Sequence, residues 1–81
     1  MEEKVTLTIP GLPDPVTHWA TLRDGKQYVV AIVYEEGHPC AGDWETDEGA
    51  WYNSQEAAQR DCDERTAVDA DMKRYVVATL S

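Results

Sequence analysis

The chain has 81 residues, with 16 Asp and Glu against 7 Lys and Arg, and a formal net charge of -9. This length predicts one small domain over residues 1–81 and excludes a two-domain enzyme or a dinucleotide-binding fold. The acidity excludes direct binding to nucleic acid or anionic membranes, because phosphate binding needs a basic patch. With 42% hydrophobic residues, the chain is also too apolar for a disordered acidic tail.

The first half of the chain predicts three strands. Val5, Leu7 and Ile9 alternate with threonines, which indicates a half-buried strand over residues 4–9. The proline-rich stretch 10–15 predicts a rigid connector, and strand character resumes over 16–22. Asp24-Gly25 then predicts a tight type I′ hairpin leading into residues 28–34, whose two apolar faces are typical of a central strand.

The second half predicts a short hairpin, a helix and a last strand. Residues 44–46 and 50–52 are expected to pair around the turn-forming segment 47–49. Asn53 or Ser54 can cap a helix, and Glu56, three residues after Asn53, can complete a capping box. A stripe of small residues continues the helical pattern to an end between positions 65 and 71, and residues 73–80 form a β-rich strand.

This order of elements, β-β-β-(short β-hairpin)-α-β, predicts an α+β domain. We expect a mostly antiparallel sheet of four to five strands with one helix packed on a face.

The cysteines and the chain start bear on the compartment. The first residues lack a basic segment followed by an apolar stretch, so we expect no signal peptide there. The apolar run over 28–34 is far shorter than the roughly 20 residues that span a bilayer. We therefore expect a cytoplasmic protein in which Cys40 and Cys62 are reduced thiols, with a disulfide between them left open.

Two histidines and two cysteines form a possible zinc set, but the spacing does not favour it. Structural zinc sites present their ligands as two close pairs, and only His38 and Cys40 are close in sequence. The acidic stretch from Asp43 superficially resembles a calcium loop. Its sixth and twelfth positions hold Glu48 and Ser54, whereas an EF-hand requires Gly and Glu. We expect no metal and no cofactor.

Catalytic motifs are also absent from the sequence. A Cys-His nucleophile pair is formally available from Cys40 or Cys62 with His18 or His38, but nothing marks an orienting third group or an oxyanion hole. No glycine-rich phosphate-binding loop lies between a strand and a helix. We therefore expect the protein not to be an enzyme.

The negative charge is concentrated in one segment. Residues 1–34 carry four acids and three bases, residues 35–71 carry twelve acids and two bases, and residues 72–81 carry two bases. The middle segment thus has a net charge of -10. It is either a solvated surface that maintains solubility or a patch for a basic partner. Trp44, between Asp43 and Glu45, either closes the edge of the core or serves as an exposed interface anchor.

In length, acidity and one-helix α+β make-up, the chain resembles the small acidic proteins encoded by phages and other mobile elements, such as anti-CRISPR proteins and DNA mimics. The resemblance covers overall character and no motif, so it assigns no residue. It implies that carboxylates stand in for phosphates in the basic nucleic-acid channel of a host defence complex, in the host cytoplasm. Helix neighbours at i,i+4 lie about 6 Å apart, comparable to phosphate spacing along a strand. Arg60 and Arg65 interrupt such a row.

We therefore expect a non-enzymatic inhibitor, similar to anti-CRISPR proteins, that binds a basic protein surface and blocks DNA or RNA binding. The candidate partner-binding residues are Glu35, Glu36, Asp43, Trp44, Glu45, Asp47, Glu48, Glu56, Asp63 and Glu64. The alternative is a small structural or assembly subunit whose β-rich terminal segments dock and whose acids only confer solubility.

Overall fold

A computed structural model describes residues 2–21 and 25–81 of the chain. The described elements are β1 (Glu2–Thr8), β2 (Val16–Thr21), β3 (Tyr28–Tyr34), β4 (Trp44–Tyr52), α1 (Gln55–Val68) and β5 (Lys73–Leu80). The five strands form one antiparallel sheet in the order β2-β1-β5-β3-β4. The predicted α+β class, with one helix on a face of a mostly antiparallel sheet, is confirmed.

The sheet order corrects two details of the prediction. Strand β2 pairs with β1 through the proline-rich connector, and β3 lies between β5 and β4. A hairpin between β2 and β3 is therefore wrong. Of its predicted turn residues, Asp24 lies outside the described residues and Gly25 lies within them. Strand β3 is an interior strand paired on both sides, as its two apolar faces predicted, but β5 occupies the middle of the five. A turn motif reports only local geometry and does not decide which strands pair.

The predicted short hairpin is a single strand with a large bulge. Val29 pairs with Trp51 and Ala31 pairs with Thr46, so a step of two residues on β3 matches a step of five on β4. The extra residues contain the segment that predicted a turn, and the Gly49 amide donates to Asp47 Oδ1 at 2.9 Å. The turn signal was correct locally, but it produced a bulge because β3 pairs with residues on both sides of it.

One face of the sheet encloses the larger core. The edge strands β2 and β4 touch through His18 and Thr46, with 3.0 Å between Nε2 and Oγ1, so the sheet curls on itself. The buried side chains on this concave face are Leu7, Ile9, Ala20, Val29, Ala31, Val33, Trp51 and Ala78. Most of the apolar burial therefore needs no helix.

The opposite face carries α1, which lies across β5, β3 and β4. Its smaller core consists of Val30, Ala50, Ala58, Cys62 and Val77. The Ser54 side chain caps the helix by accepting the Ala57 amide at 3.1 Å, so the predicted capping box of Asn53 and Glu56 does not form. The helix end at Val68 falls within the predicted range. The small stripe brings the helix close to the sheet but buries little area.

Candidate functional site

The candidate site contains nine acidic residues, and five of them already have partners within the protein. Glu35 pairs with Arg74, Glu45 accepts from Tyr34, Asp47 pairs with Arg65, Glu48 contacts His18, and Asp63 accepts from Gln59. Among the described residues, no hydrogen bond or ion pair engages the side-chain carboxylates of the remaining four: Glu36, Asp43, Glu56 and Glu64. These four are called the free carboxylates below.

Arg65 connects the bulge of β4 to the helix. Its Nε donates to Asp61 Oδ1 at 2.8 Å and a terminal nitrogen donates to Asp47 Oδ2 at 2.7 Å. The Tyr52 hydroxyl donates to the second oxygen of Asp61. The bulge aims Asp47 at the helix, and i,i+4 spacing places Asp61 beside Arg65. Two carboxylates of the acidic segment thus serve the fold.

The charges in this network shift the titration of its members. Hydrogen bonding to Arg65 holds the pKa of both Asp47 and Asp61 below the usual value of 3.8. The two carboxylates in turn raise the pKa of Arg65 above its usual value. Donation to Asp61 raises the pKa of Tyr52. Both aspartates therefore stay ionised at neutral pH, with their charge directed inward.

A polar cluster that the sequence did not predict closes the gap between the two edge strands. His18 Nε2 lies 3.1 Å from Glu48 Oε2 and 3.0 Å from Thr46 Oγ1, and Thr46 donates to Glu48 at 2.7 Å. Both oxygens face the same ring nitrogen, whereas a catalytic triad places the nucleophile and the acid on opposite nitrogens. The cluster therefore joins strands β2 and β4. Alternation with Val16 and Ala20 was the only sequence signal for the position of His18.

The two tryptophans outside the main core differ in exposure. Trp44 is half-buried, packs against the concave core and makes an edge contact with His18, with ring centroids 5.7 Å apart. That position agrees with the interpretation of Trp44 as a residue closing the core edge. The exposed aromatic side chain is Trp19 on β2, at 59%.

The free carboxylates do not form one continuous row. Strand β3 ends where β4 begins, since Val33 pairs with Trp44, so Glu36 and Asp43 lie at that end of the sheet. Glu56 follows the other end of β4. The helix then returns, and Glu64 lies eight residues beyond Glu56, about 12 Å along the axis. Free negative charge thus occurs at both ends of the α1–β4 side of the molecule.

The thiols are separate and free. Cys62 is buried beneath the helix, and desolvation raises the pKa of its thiol to about 11, so it is a weak nucleophile. Cys40 is exposed in the β3–β4 loop, where its backbone amide donates to His38 Nδ1 at 2.9 Å. Within residues 2–21 and 25–81, no group of three or more His, Cys, Asp or Glu side chains is arranged to hold a metal ion.

Comparison with known proteins gives no relative: no family model, no curated protein and no solved structure matches this chain. In the described part of the chain, no helix has the length and apolar character needed to cross a membrane. Any statement of function therefore rests on the chemistry of the site.

Proposed function

We propose that this protein is a non-enzymatic acidic interaction protein that inhibits a nucleic-acid-binding complex. Like anti-CRISPR proteins, it would occupy the basic surface of a host defence complex, in the host cytoplasm, and block binding of DNA or RNA. The observation that supports this proposal is the set of four exposed free carboxylates on a segment with a net charge of -10.

The free carboxylates are available to a binding partner because their side chains have no partner among the described residues. Arg65, Lys73 and Arg74 already have acidic partners within the protein. Pairing a free carboxylate with an external Lys or Arg breaks no contact to a described residue, so its electrostatic gain is available to binding. Clustered charge of one sign also accelerates association with an oppositely charged partner, and salt weakens this effect.

The free carboxylates also determine which variants test the proposal. Reversing Asp47 or Glu48 would break contacts to Arg65 and His18 and confuse misfolding with lost binding. The triple variant Glu36→Lys, Asp43→Lys, Glu64→Lys changes the charge at exposed positions whose carboxylates have no partner among the described residues. We expect it to fold normally and to lose inhibition.

The assay is DNA binding by a panel of purified RNA-guided defence complexes, measured by fluorescence anisotropy with and without the protein. We expect inhibition of at least one complex, with potency that falls steeply as salt rises. The matched control replaces Glu2, Glu3 and Asp14 by Lys, on β1 and the connector to β2. It changes the net charge by the same amount as the first triple variant and should retain inhibition. Equal loss in both triple variants, or salt-insensitive binding, would contradict a localised acidic site.

The alternative function, an assembly subunit, has its own supporting observation. Trp19 projects from edge strand β2, beside exposed threonines on a part of the chain with little net charge. In that case the protein would self-associate or dock through β1 and β2. Oligomers that persist when Glu36, Asp43 and Glu64 are replaced by Lys would favour this function over inhibition.

A further inference from the structure

A groove lies between the C-terminal half of α1 and strand β5. Its volume is about 330 Å³, and it is lined by Asp61, Glu64, Arg65, Val68, Asp69 and Tyr75. This volume is at the lower end of the range for binding pockets, enough for a side chain rather than a large ligand. The groove combines an apolar part, formed by Val68 and Tyr75, with three carboxylates from the helix and its C-cap.

Among the described residues, two of the three exposed large apolar side chains lie at this end of the molecule. Val68, the last helical residue, is 88% exposed, and Met72, in the connection to β5, is 44% exposed. Met72 has φ 56, a left-handed backbone conformation that residues other than glycine seldom adopt. Val68 is too exposed to contribute to either core. An apolar centre within a polar rim is the usual anatomy of a protein interface.

The charges around this apolar centre identify the kind of partner. The groove is lined by three carboxylates and one guanidinium, and Arg65 is already shared between Asp61 and Asp47. Asp69 pairs with Lys73 at 2.7 Å, whereas Glu64 is a free carboxylate. The acidic β3–β4 loop is adjacent, since the Glu35 amide donates to the Met72 carbonyl at 2.9 Å. The complementary occupant is therefore apolar at its centre and cationic at its flanks.

We propose that this groove seats one apolar side chain from a Lys- or Arg-rich segment of a protein partner. The apolar group packs against Val68 and Tyr75, and the flanking cations approach Glu64 and the adjacent acidic loop. This inference rests on the proposed function and adds the anchoring position to it. Long-range charge brings the partner to the surface, while the desolvated anchor supplies most of the affinity.

Two synthetic peptides provide the test. Both carry the same flanking lysines and arginines, but one has a central Leu and the other a central Ser. Each is titrated into isotope-labelled protein and followed by NMR at physiological ionic strength. We expect the Leu peptide to bind about tenfold more tightly or better, as burial of a leucine side chain implies, and to shift the Val68 methyl signals.

Val68→Ser is the decisive variant, because an exposed position tolerates the change without loss of folding. It should remove the advantage of the Leu peptide and leave the affinity of the Ser peptide unchanged. The matched control, Trp19→Ser, removes a larger exposed apolar side chain from β2 and should alter neither affinity.

The outcomes separate this inference from the proposed function. Equal affinities of the two peptides, or a Leu advantage that survives Val68→Ser, would overturn the groove and leave a purely electrostatic acidic surface. If neither peptide binds at any salt concentration, both proposals fail. Dimerisation of the free protein that Val68→Ser abolishes would instead assign the groove to a second copy of the chain and overturn the inference.

Discussion

Replacing Arg65 by methionine removes the charge that connects β4 to α1 while keeping most of the aliphatic side chain. The side chains of Arg65, Asp61 and Asp47 are 29%, 18% and 39% exposed, so this network is neither fully buried nor a solvated surface pair. Its loss leaves two carboxylates facing each other without a cation. We therefore expect Arg65→Met to destabilise the folded protein.

The magnitude follows from the two contacts. Asp61 is the less exposed carboxylate and accepts from both Arg65 and Tyr52, so losing its charged hydrogen bond should cost about 1.5 kcal/mol. Asp47 is more exposed, and solvent screening reduces its share to about 0.5 kcal/mol. The sum, about 2 kcal/mol, corresponds to a fall in Tm of about 8–16 °C for a domain of this size.

The same network predicts a pH dependence. Because Arg65 lowers the pKa of Asp47 and Asp61 below 3.8 in the folded protein, their contribution to stability is complete above that value. It is lost as the pH falls through the lower folded pKa values, where both carboxylates become protonated. The stability difference between wild type and Arg65→Met should therefore shrink towards zero in strong acid.

Urea unfolding followed by circular dichroism, repeated from neutral to acidic pH, measures both effects. Arg60→Met is the matched control, because Arg60 is on the same helix, is exposed, and has no ion pair with a described residue. The control should change the free energy of unfolding by less than about 0.5 kcal/mol. Equal stabilities of the two variants at neutral pH, or a difference independent of pH, would refute the reasoning.

Two further outcomes follow from the local structure. A thiol reagent should modify Cys40 rapidly in the native protein and Cys62 only after denaturation, because Cys62 is buried and its thiol has a pKa of about 11. Mass spectrometry of the labelled peptides distinguishes the two cysteines. Equal rates of modification would contradict the burial of Cys62. Ser54→Ala should lower the free energy of unfolding, measured by thermal unfolding, by about 1 kcal/mol because it removes the helix cap. Asn53→Ala should lower it much less. The reverse order would show that Asn53 caps the helix in a capping box.

Patterns of short range predicted the elements of this fold well. The strand over residues 28–34 and the strand over 73–80 match β3 and β5, and the helix starts and ends where caps and spacing indicated. These elements are encoded by consecutive residues, through alternation, capping or small-residue spacing. A single sequence contains that information directly.

Pairings of long range were not predictable in the same way. The choice of β5 as the central strand depends on residues from the end of the chain outcompeting an adjacent hairpin. The five-residue step on β4 depends on which residues of β3 remain free to pair. The contact of His18 with Glu48 follows from the curl of the sheet and has no local signature. Each requires comparing alternative pairings of the whole chain.

The candidate site shows the same division. Composition located the acidic segment, but it could not separate Asp47, which stabilises the fold, from Glu64, whose carboxylate has no partner in the described part of the chain. That separation depends on where the bulge aims one carboxylate and on which helical position faces a cation. Net charge therefore overstated the charge available to a partner, while the distribution of free carboxylates restricts where binding can occur.

Arg65 has two roles in this structure: it links the helix to β4, and it lines the proposed groove. The buried helical residues, Ala58 and Cys62, are small, and Arg65 adds an ion pair between the helix and β4. The proposed groove is lined by the same arginine and by Asp61. A cationic partner bound there would compete with Arg65 for Asp61 while its apolar anchor adds the buried area that the helix lacks. Binding and helix attachment are thus thermodynamically linked. Binding stabilises the attached helix only if the anchor contributes more free energy than the competition for Asp61 removes. Under the proposal, this linkage would make a basic segment with an apolar anchor a tighter ligand for the groove than a basic segment without one.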